Sequence, residues 1–424
     1  MLGLLLALVW ASIATALQTI EAKGAKFFAG DDQWFIKGIA YQLTPDDPLA
    51  QTEQCQLDAS LMKTLGANAI RVYHVDPDAN HDGCMKAFED AGIYIFLDLD
   101  TFETYVLPGV PTWNSTQYDA FAKVMDTFHN YDNLAGFFVG NELMTTGADS
   151  IAAPYVKAAA RDMKAYRDSK GYRKIPIGYS AADITVLRPN LQNYMACGDP
   201  ADALDFFSLN AYEWCGETTY EQSGYSALQK NASEYNIPIF FSETGCQTVR
   251  PRVFGDQAAI FGPEMSGTWS GAIIYEWIQE ANDYGLISYG PAVAPTATGA
   301  DIAGGYTVRG TPTPIQPDFQ NLQSQWAAAS PSGVQAAAYS PSLTAPPCPA
   351  TTPEAWLATG PLPMLNQQVD NSSAGQGASG TNSVTRAANS ETGTRTGTAT
   401  SSAMATKLAI GGPALLALVG AGLL

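Results

Sequence analysis

Between residues 34 and 280 the chain repeats one short theme eight times, and this repetition limits its fold more tightly than any other feature. Runs of apolar, β-branched or aromatic residues occupy 34–41, 69–75, 94–99, 135–139, 175–179, 206–211, 237–242 and 272–277. The stretches between them are long enough for helices, and 52–65, 81–91, 117–130 and 154–169 space their apolar residues at helical intervals. Strands alternating with amphipathic helices build parallel βα units. Eight units over about 250 residues predict an α/β fold, a (β/α)8 TIM barrel, in which reactive groups sit on the carboxyl ends of strands. A doubly wound open sheet is the rival. The chain holds no G-x-G-x-x-G or Walker loop, so the nucleotide-binding form of that rival lacks its phosphate cradle.

The two ends carry address signals. Residues 1–16 are almost wholly apolar and close on Ala14-Thr15-Ala16, the small-x-small pattern of a signal-peptidase site, so the mature chain is expected to start near Leu17. After the barrel (17–290), residues 291–360 hold Tyr306, Phe319, Trp326, Tyr339 and Trp356 among many Pro, Ala, Thr and Gly residues, and read as an ordered appendage packed on the barrel. Residues 361–407 form a Ser/Thr-rich linker; 371–406 contain 15 Ser/Thr and no aromatic side chain, too little apolar surface to fold. The apolar tail 408–424 completes a glycosylphosphatidylinositol (GPI) attachment signal, with Gly393, Gly397 or Ser401 as candidate small residues. A plain C-terminal transmembrane helix is disfavoured, because no Lys or Arg follows the tail.

Such addresses imply an oxidising route. The six cysteines, Cys55, Cys84, Cys197, Cys215, Cys246 and Cys348, are then expected as three disulfides rather than metal ligands, and no C-x-x-C occurs. Asn114, Asn231 and Asn371 head glycosylation sequons. The formal charge of −19 repels phosphate backbones and anionic headgroups, which argues against nucleic acid and polybasic membrane binding and leaves neutral ligands such as sugars open. No metal or cofactor is expected. The acidic loop 76–83 places His81 where a calcium loop needs Gly and Ala87 where it needs Glu; His74, His81 and His129 lack zinc spacing, and no G-x-S-x-G elbow appears.

A charge that ends a buried apolar run must reach either solvent or a site. Two do so conspicuously: the fourth run leads into Gly140-Asn141-Glu142, and the seventh into Ser242-Glu243-Thr244. In a barrel both ends open on one mouth. Retaining cleavage of a glycosidic bond needs one carboxyl group as acid/base and another as nucleophile, about 5–5.5 Å apart, and facing strand ends supply that separation. The acid must stay protonated, the nucleophile ionised and held by donors. Asn141 is placed to donate toward a sugar 2-hydroxyl.

Gly38-Ile39-Ala40-Tyr41-Gln42, Arg71-Val72-Tyr73-His74-Val75-Asp76, Gly140-Asn141-Glu142, Asn210-Ala211-Tyr212-Glu213-Trp214-Cys215-Gly216, Phe241-Ser242-Glu243 and Gln279-Glu280-Ala281-Asn282-Asp283-Tyr284-Gly285 together resemble glycoside hydrolase family 72, the fungal cell-wall β-1,3-glucanosyltransferases. The resemblance runs in order over about residues 20–350. It implies Glu142 as acid/base, Glu243 as nucleophile, and Gln42, Tyr73, Asp98, Asn141, Asn210, Tyr212, Tyr275 and Tyr284 as lining of a glucan cleft. Plainer readings stand beside these: Tyr73 and Tyr275 as core aromatics, Asp98 as an ion-pair partner of Arg71, and Gln42, Asn210, Tyr212 and Tyr284 as loop hydrogen-bonders. The family pattern also suggests Cys55–Cys84, Cys197–Cys348 and Cys215–Cys246. Longer relatives carry a Cys-rich carbohydrate-binding module; with six cysteines, the resemblance implies that this chain belongs to the subfamily without it.

The expectation is therefore a GPI-anchored, monomeric transglycosylase on the outer face of the plasma membrane and in the cell wall. It cuts β-1,3-glucan internally and passes the new reducing end to an acceptor chain by a retaining double displacement. The alternatives are a secreted endo-β-1,3-glucanase and, from another class, a non-catalytic glucan-binding surface protein.

Overall fold

The computed structural model describes residues 17–42, 47–101 and 103–368. The leader, the linker beyond 368, the apolar tail and Asn371 lie outside the described residues. Eight parallel strands close into a barrel: β1 (Ile36–Ala40), β2 (Ala69–Val72), β3 (Tyr94–Asp98), β4 (Leu134–Asn141), β5 (Ile177–Ala182), β6 (Phe206–Asn210), β7 (Ile239–Thr244) and β8 (Trp269–Ile274). Each pairs with the next, and β8 pairs with β1 through Ile273↔Gly38.

Every expected run overlaps one of these strands, and two of the shifted starts have a clear cause. β5 and β7 start two residues late because Pro176 and Pro238 have no N–H to give a ladder. Their carbonyls still accept, from Phe137 N (2.8 Å) and Phe207 N (3.0 Å). The third helix starts at Ser115 rather than 117, because Asn114 caps it: its side chain accepts from Gln117 N while the Gln117 side chain accepts from Asn114 N.

Inside the barrel, side chains fill the space in layers. A three-stranded antiparallel sheet (Ile20–Lys23, Lys26–Ala29, Asp32–Gln33) closes the amino-terminal end and inserts Phe27. Its ring centre lies 5.9–6.2 Å from those of Phe206, Phe240, Phe96 and Trp34. Phe96 in turn contacts Phe138, Phe206 and Phe240 at 5.8, 5.7 and 5.2 Å. Burying each ring stabilises the fold by about 1.5–3 kcal/mol. The packing needs Gly178, since a Cβ there would stand 2.3 Å from the Phe206 ring. This N-terminal sheet escaped the sequence reading because its strands are four residues or fewer, too short for a period to show.

Residues 291–368 wrap the outside of the barrel. The helix Asp318–Ala328 docks through Trp326, whose indole donates to Gln257 Oε1 (2.8 Å), while Lys37 Nζ donates to the Trp326 carbonyl (2.7 Å). Beyond it the chain is tied by Trp356 packing on Tyr194 (5.3 Å) and by Leu357 N donating to Ser150 Oγ (2.7 Å). Asn366 still bonds Trp113 and Ser115, so the packed part passes residue 360; residues 361–368 hold Leu362 and Leu365 against the core and contain no Ser or Thr. Three disulfides, Cys55–Cys84, Cys197–Cys348 and Cys215–Cys246, join the segments. The second staples the wrap to the barrel. No helix among the described residues is long and apolar enough to cross a membrane.

Candidate active site

Above the phenylalanine layer the same strands turn polar. Arg71 (β2) is fully buried, its guanidinium 4.3 Å from the Tyr73 ring centre and 4.2 Å from that of Phe138. Such a charge is tolerated only when its donors are used. Nε and Nη2 donate to the two oxygens of Asp98 (3.1 and 2.8 Å), Nη1 to Ser180 Oγ (2.9 Å), and Nη2 also to Asn141 Oδ1 (3.1 Å). Burial disfavours this cation, yet Asp98 leads the groups that hold its pKa above the ordinary value. Ser180 and Ser242 both lie against Asn210 Oδ1 (2.9 and 2.8 Å). That leaves the Asn210 amide free to donate upward, to Asn141 Oδ1 and Glu142 Oε1, each at 3.0 Å.

Glu243, on β7, is 8% exposed. Tyr73 donates to its Oε1 (2.9 Å) and Tyr212 to its Oε2 (2.7 Å), with Arg71 Nη1 3.6 Å from Oε1. Glu142, just past the end of β4, adopts φ +50°, a strained value for a side chain with a Cβ. Its N–H donates to the Ser180 carbonyl (2.9 Å). Asn210 joins the two acids: it pairs in register with Glu243 and donates to Glu142.

Burial, then the Glu142 charge, push Glu243 up to about 7, against the pull of Arg71, Tyr212 and Tyr73. Burial also raises Glu142, opposed by Asn210 and Arg71. Glu243 receives a donor on each oxygen and sits near a cation, whereas Glu142 receives one amide, so a negative charge is held better on Glu243 than on Glu142. Protonation of Glu142 would remove the like charge that lifts Glu243.

Tyr212, Tyr275 and Tyr284 form a wall beside Glu243, with ring centres 5.3–6.5 Å apart. The structure thus brings Tyr73, Asn141, Glu142, Asn210, Tyr212, Glu243, Tyr275 and Tyr284 into one contact network. Gln42 stands half-buried two residues beyond the end of β1. Asp98 is 3% exposed with both oxygens on Arg71, the ion-pair arrangement. Asn231 is exposed at the end of the helix Tyr225–Ala232, and Asn114 is the helix cap described above. Sequence reasoning passed over Arg71 as the hub, Ser180 and Ser242 as its relays, and Glu276 behind Tyr275. A lone Arg inside a buried run was a usable signal for the first; single serines in strands offered none.

A closed (β/α)8 barrel whose mouth holds two carboxyl groups on strand ends, hydroxyl and amide donors and an aromatic wall defines a class: the glycoside-hydrolase-type enzymes, which act on sugar chains. Comparison with known proteins narrows it. The model of the glucanosyltransferase family, glycoside hydrolase family 72, matches residues 9–296, and the chain belongs to that family. It is 41% identical over 368 residues to the 1,3-beta-glucanosyltransferase gas2 of Schizosaccharomyces pombe, covering 83% of this chain and 76% of that one. It is 40% identical to Protein EPD1 of Candida maltosa, covering 84% of this chain but 63% of EPD1, and 40% identical to the 1,3-beta-glucanosyltransferase PGA5 of Candida albicans, covering 75% and 51%. The chain therefore spans only part of these longer relatives. Among solved structures it resembles a Saccharomyces cerevisiae Gas2p variant in complex with laminaritetraose and laminaripentaose, with TM-score 0.73, 37% identity, and coverage of 81% of this chain and 74% of that one.

Proposed function

We propose that this protein is a β-1,3-glucanosyltransferase in which Glu243 is the nucleophile and Glu142 the acid/base. Glu243 attacks the anomeric carbon while Glu142 protonates the departing oxygen, giving a glycosyl-enzyme and a released chain end. Glu142, now a carboxylate, then takes the proton of an incoming hydroxyl as that oxygen displaces Glu243. When the hydroxyl belongs to another glucan, the chain is rejoined; when it belongs to water, the chain is hydrolysed. The observation that carries this reading is the unequal donor set on the two acids: Tyr73, Tyr212 and Arg71 around Glu243, one Asn210 amide on Glu142.

Gln42, Asn141, Asn210, Tyr275 and Tyr284 complete the sugar-facing cleft in this reading, with Asp98 acting through Arg71. The donor and acceptor are both β-1,3-glucan, the class of oligosaccharide seen bound in the Gas2p complex. Action as a monomer, a GPI lipid anchor and a place at the outer membrane face and wall belong to the same proposal, supported by the address signals at both ends of the sequence. The test is incubation with reduced laminari-oligosaccharides and sizing of the products. Products longer than the substrate are expected; shorter products alone mean an endo-β-1,3-glucanase, and unchanged substrate a binding protein.

A further inference from the structure

We propose that Glu276 is a positioning residue for this reaction: buried behind Tyr275, it braces the loop that carries Tyr284 and so sets the tyrosine wall beside Glu243. The inference rests on the reading of Glu243 as nucleophile.

Glu276 is completely buried and has no ion-pair partner among the described residues. Its Oε1 accepts from Asn282 Nδ2 (2.6 Å), and Asn282 Oδ1 accepts from Tyr284 N (3.1 Å). Its own N–H donates to the Tyr284 carbonyl (3.3 Å), and its carbonyl accepts from Leu286 N (3.1 Å). The side chain and the two peptide groups of Glu276 therefore hold the loop from 277 to 286 from within. The loop is tight: a Cβ on Gly285 would fall 2.2 Å from Gln279 Cα. Arg252 frames it from outside, donating to the Tyr275 and Gly285 carbonyls (3.2 and 3.1 Å) and to Asp318 (2.9 Å), which leaves Glu276 without a counter-charge.

Burial, with the Glu280 and Glu243 carboxyls as further neighbours, pushes ionisation of Glu276 well above the usual carboxylate range, against the bonds from Asn282 and Tyr275. Burial without a counter-charge favours the neutral form of Glu276, with Oε1 as acceptor. Its Oε2 is buried without a hydrogen bond of regular geometry among the described residues. The consequence reaches the site through ring contacts. Tyr284 lies 5.3 Å from Tyr275 and 5.5 Å from Tyr212, and Tyr212 donates to Glu243. A group that touches neither reacting acid thus determines where one of them is held.

The experiment compares wild type, Glu276→Ala, Glu276→Gln and Asn282→Ala on reduced laminari-oligosaccharides, with thermal melting of each. Glu276→Ala and Asn282→Ala are expected to lower kcat about tenfold or more, since small misplacements of reacting groups are costly. Glu276→Gln, which keeps the acceptor without a charge, restores most of that loss. Wild-type kcat in Glu276→Ala overturns the proposal, as does a lower melting temperature with unchanged kcat per folded molecule. Glu276→Gln as slow as Glu276→Ala also overturns it, because a charge would then be required. If Glu276→Ala fails to fold, Asn282→Ala decides, and unchanged kcat there overturns it. If wild type leaves the sugars untouched, the glucanosyltransferase reading itself fails. Positioning is then read from laminaripentaose binding, weakened by Glu276→Ala and recovered in Glu276→Gln; equal binding by all overturns it.

Discussion

At the floor of the barrel Phe27, Phe96, Phe138, Phe206 and Phe240 meet ring to ring, while higher on the same strands Arg71, Asp98, Asn141, Ser180, Asn210 and Ser242 meet donor to acceptor. Both layers come from side chains of one period pointing into one cylinder. The floor is held by contacts that any apolar shape of matching volume would supply. The mouth is held by directional bonds in which each group serves another, so that a single loss leaves a buried polar atom unsatisfied. The floor secures the fold, and the mouth accepts electrostatic strain, raised carboxyl pKa values and a left-handed Glu142 among them, because function sits there.

The largest expected effect belongs to the mouth. Glu243→Gln should lower transfer at least about 10^4-fold, as removal of a nucleophile does, with a melting temperature no lower than wild type because a buried acid has gone. Retained activity would end the nucleophile assignment. At the floor the pattern should invert: Phe240→Ala is expected to cost about 3–5 kcal/mol in urea unfolding, with the remaining folded enzyme still active. A folded Phe240→Ala protein without activity would dissolve the distinction between the layers.

The smallest effect concerns pH. Glu280 is pushed up to about 7 and Asp100 to about 8, each chiefly by burial, and Asp58 and Asp256 reach about 6 for the same reason. Their unfolded values lie near 4. Between those limits the folded chain binds more protons than the unfolded one, so stability is full below about pH 4 for these groups and is lost as pH rises through 6 to 8. The melting temperature should fall by about 5 °C or more between pH 5 and pH 8. A flat or rising profile would contradict this.

How much of this was legible beforehand depended on how local each signal was. A strand announces itself within six residues, and a glutamate ending an apolar run is visible beside its own neighbours, so the eight runs, Glu142 and Glu243 could be picked out directly. The cysteine pairing could not: six cysteines allow fifteen connectivities, and only the family resemblance pointed to one. Arg71 looked like a partner for Asp98; that it also reaches Ser180 and Asn141, 109 and 70 residues away in the chain, became visible only when the barrel closed. Glu276 showed no signal at all, because its role consists of being buried without a cation.

The order of residues by itself determined that strands and helices alternate eight times and that two acids end strands on the same face, since periodicity and strand polarity are written along the chain. Only the tertiary structure decided which donors reach Glu142, which tyrosines hold Glu243 and which carboxyl is buried without a cation. Those outcomes depend on strand register and on exclusion of water, and neither exists until distant segments meet.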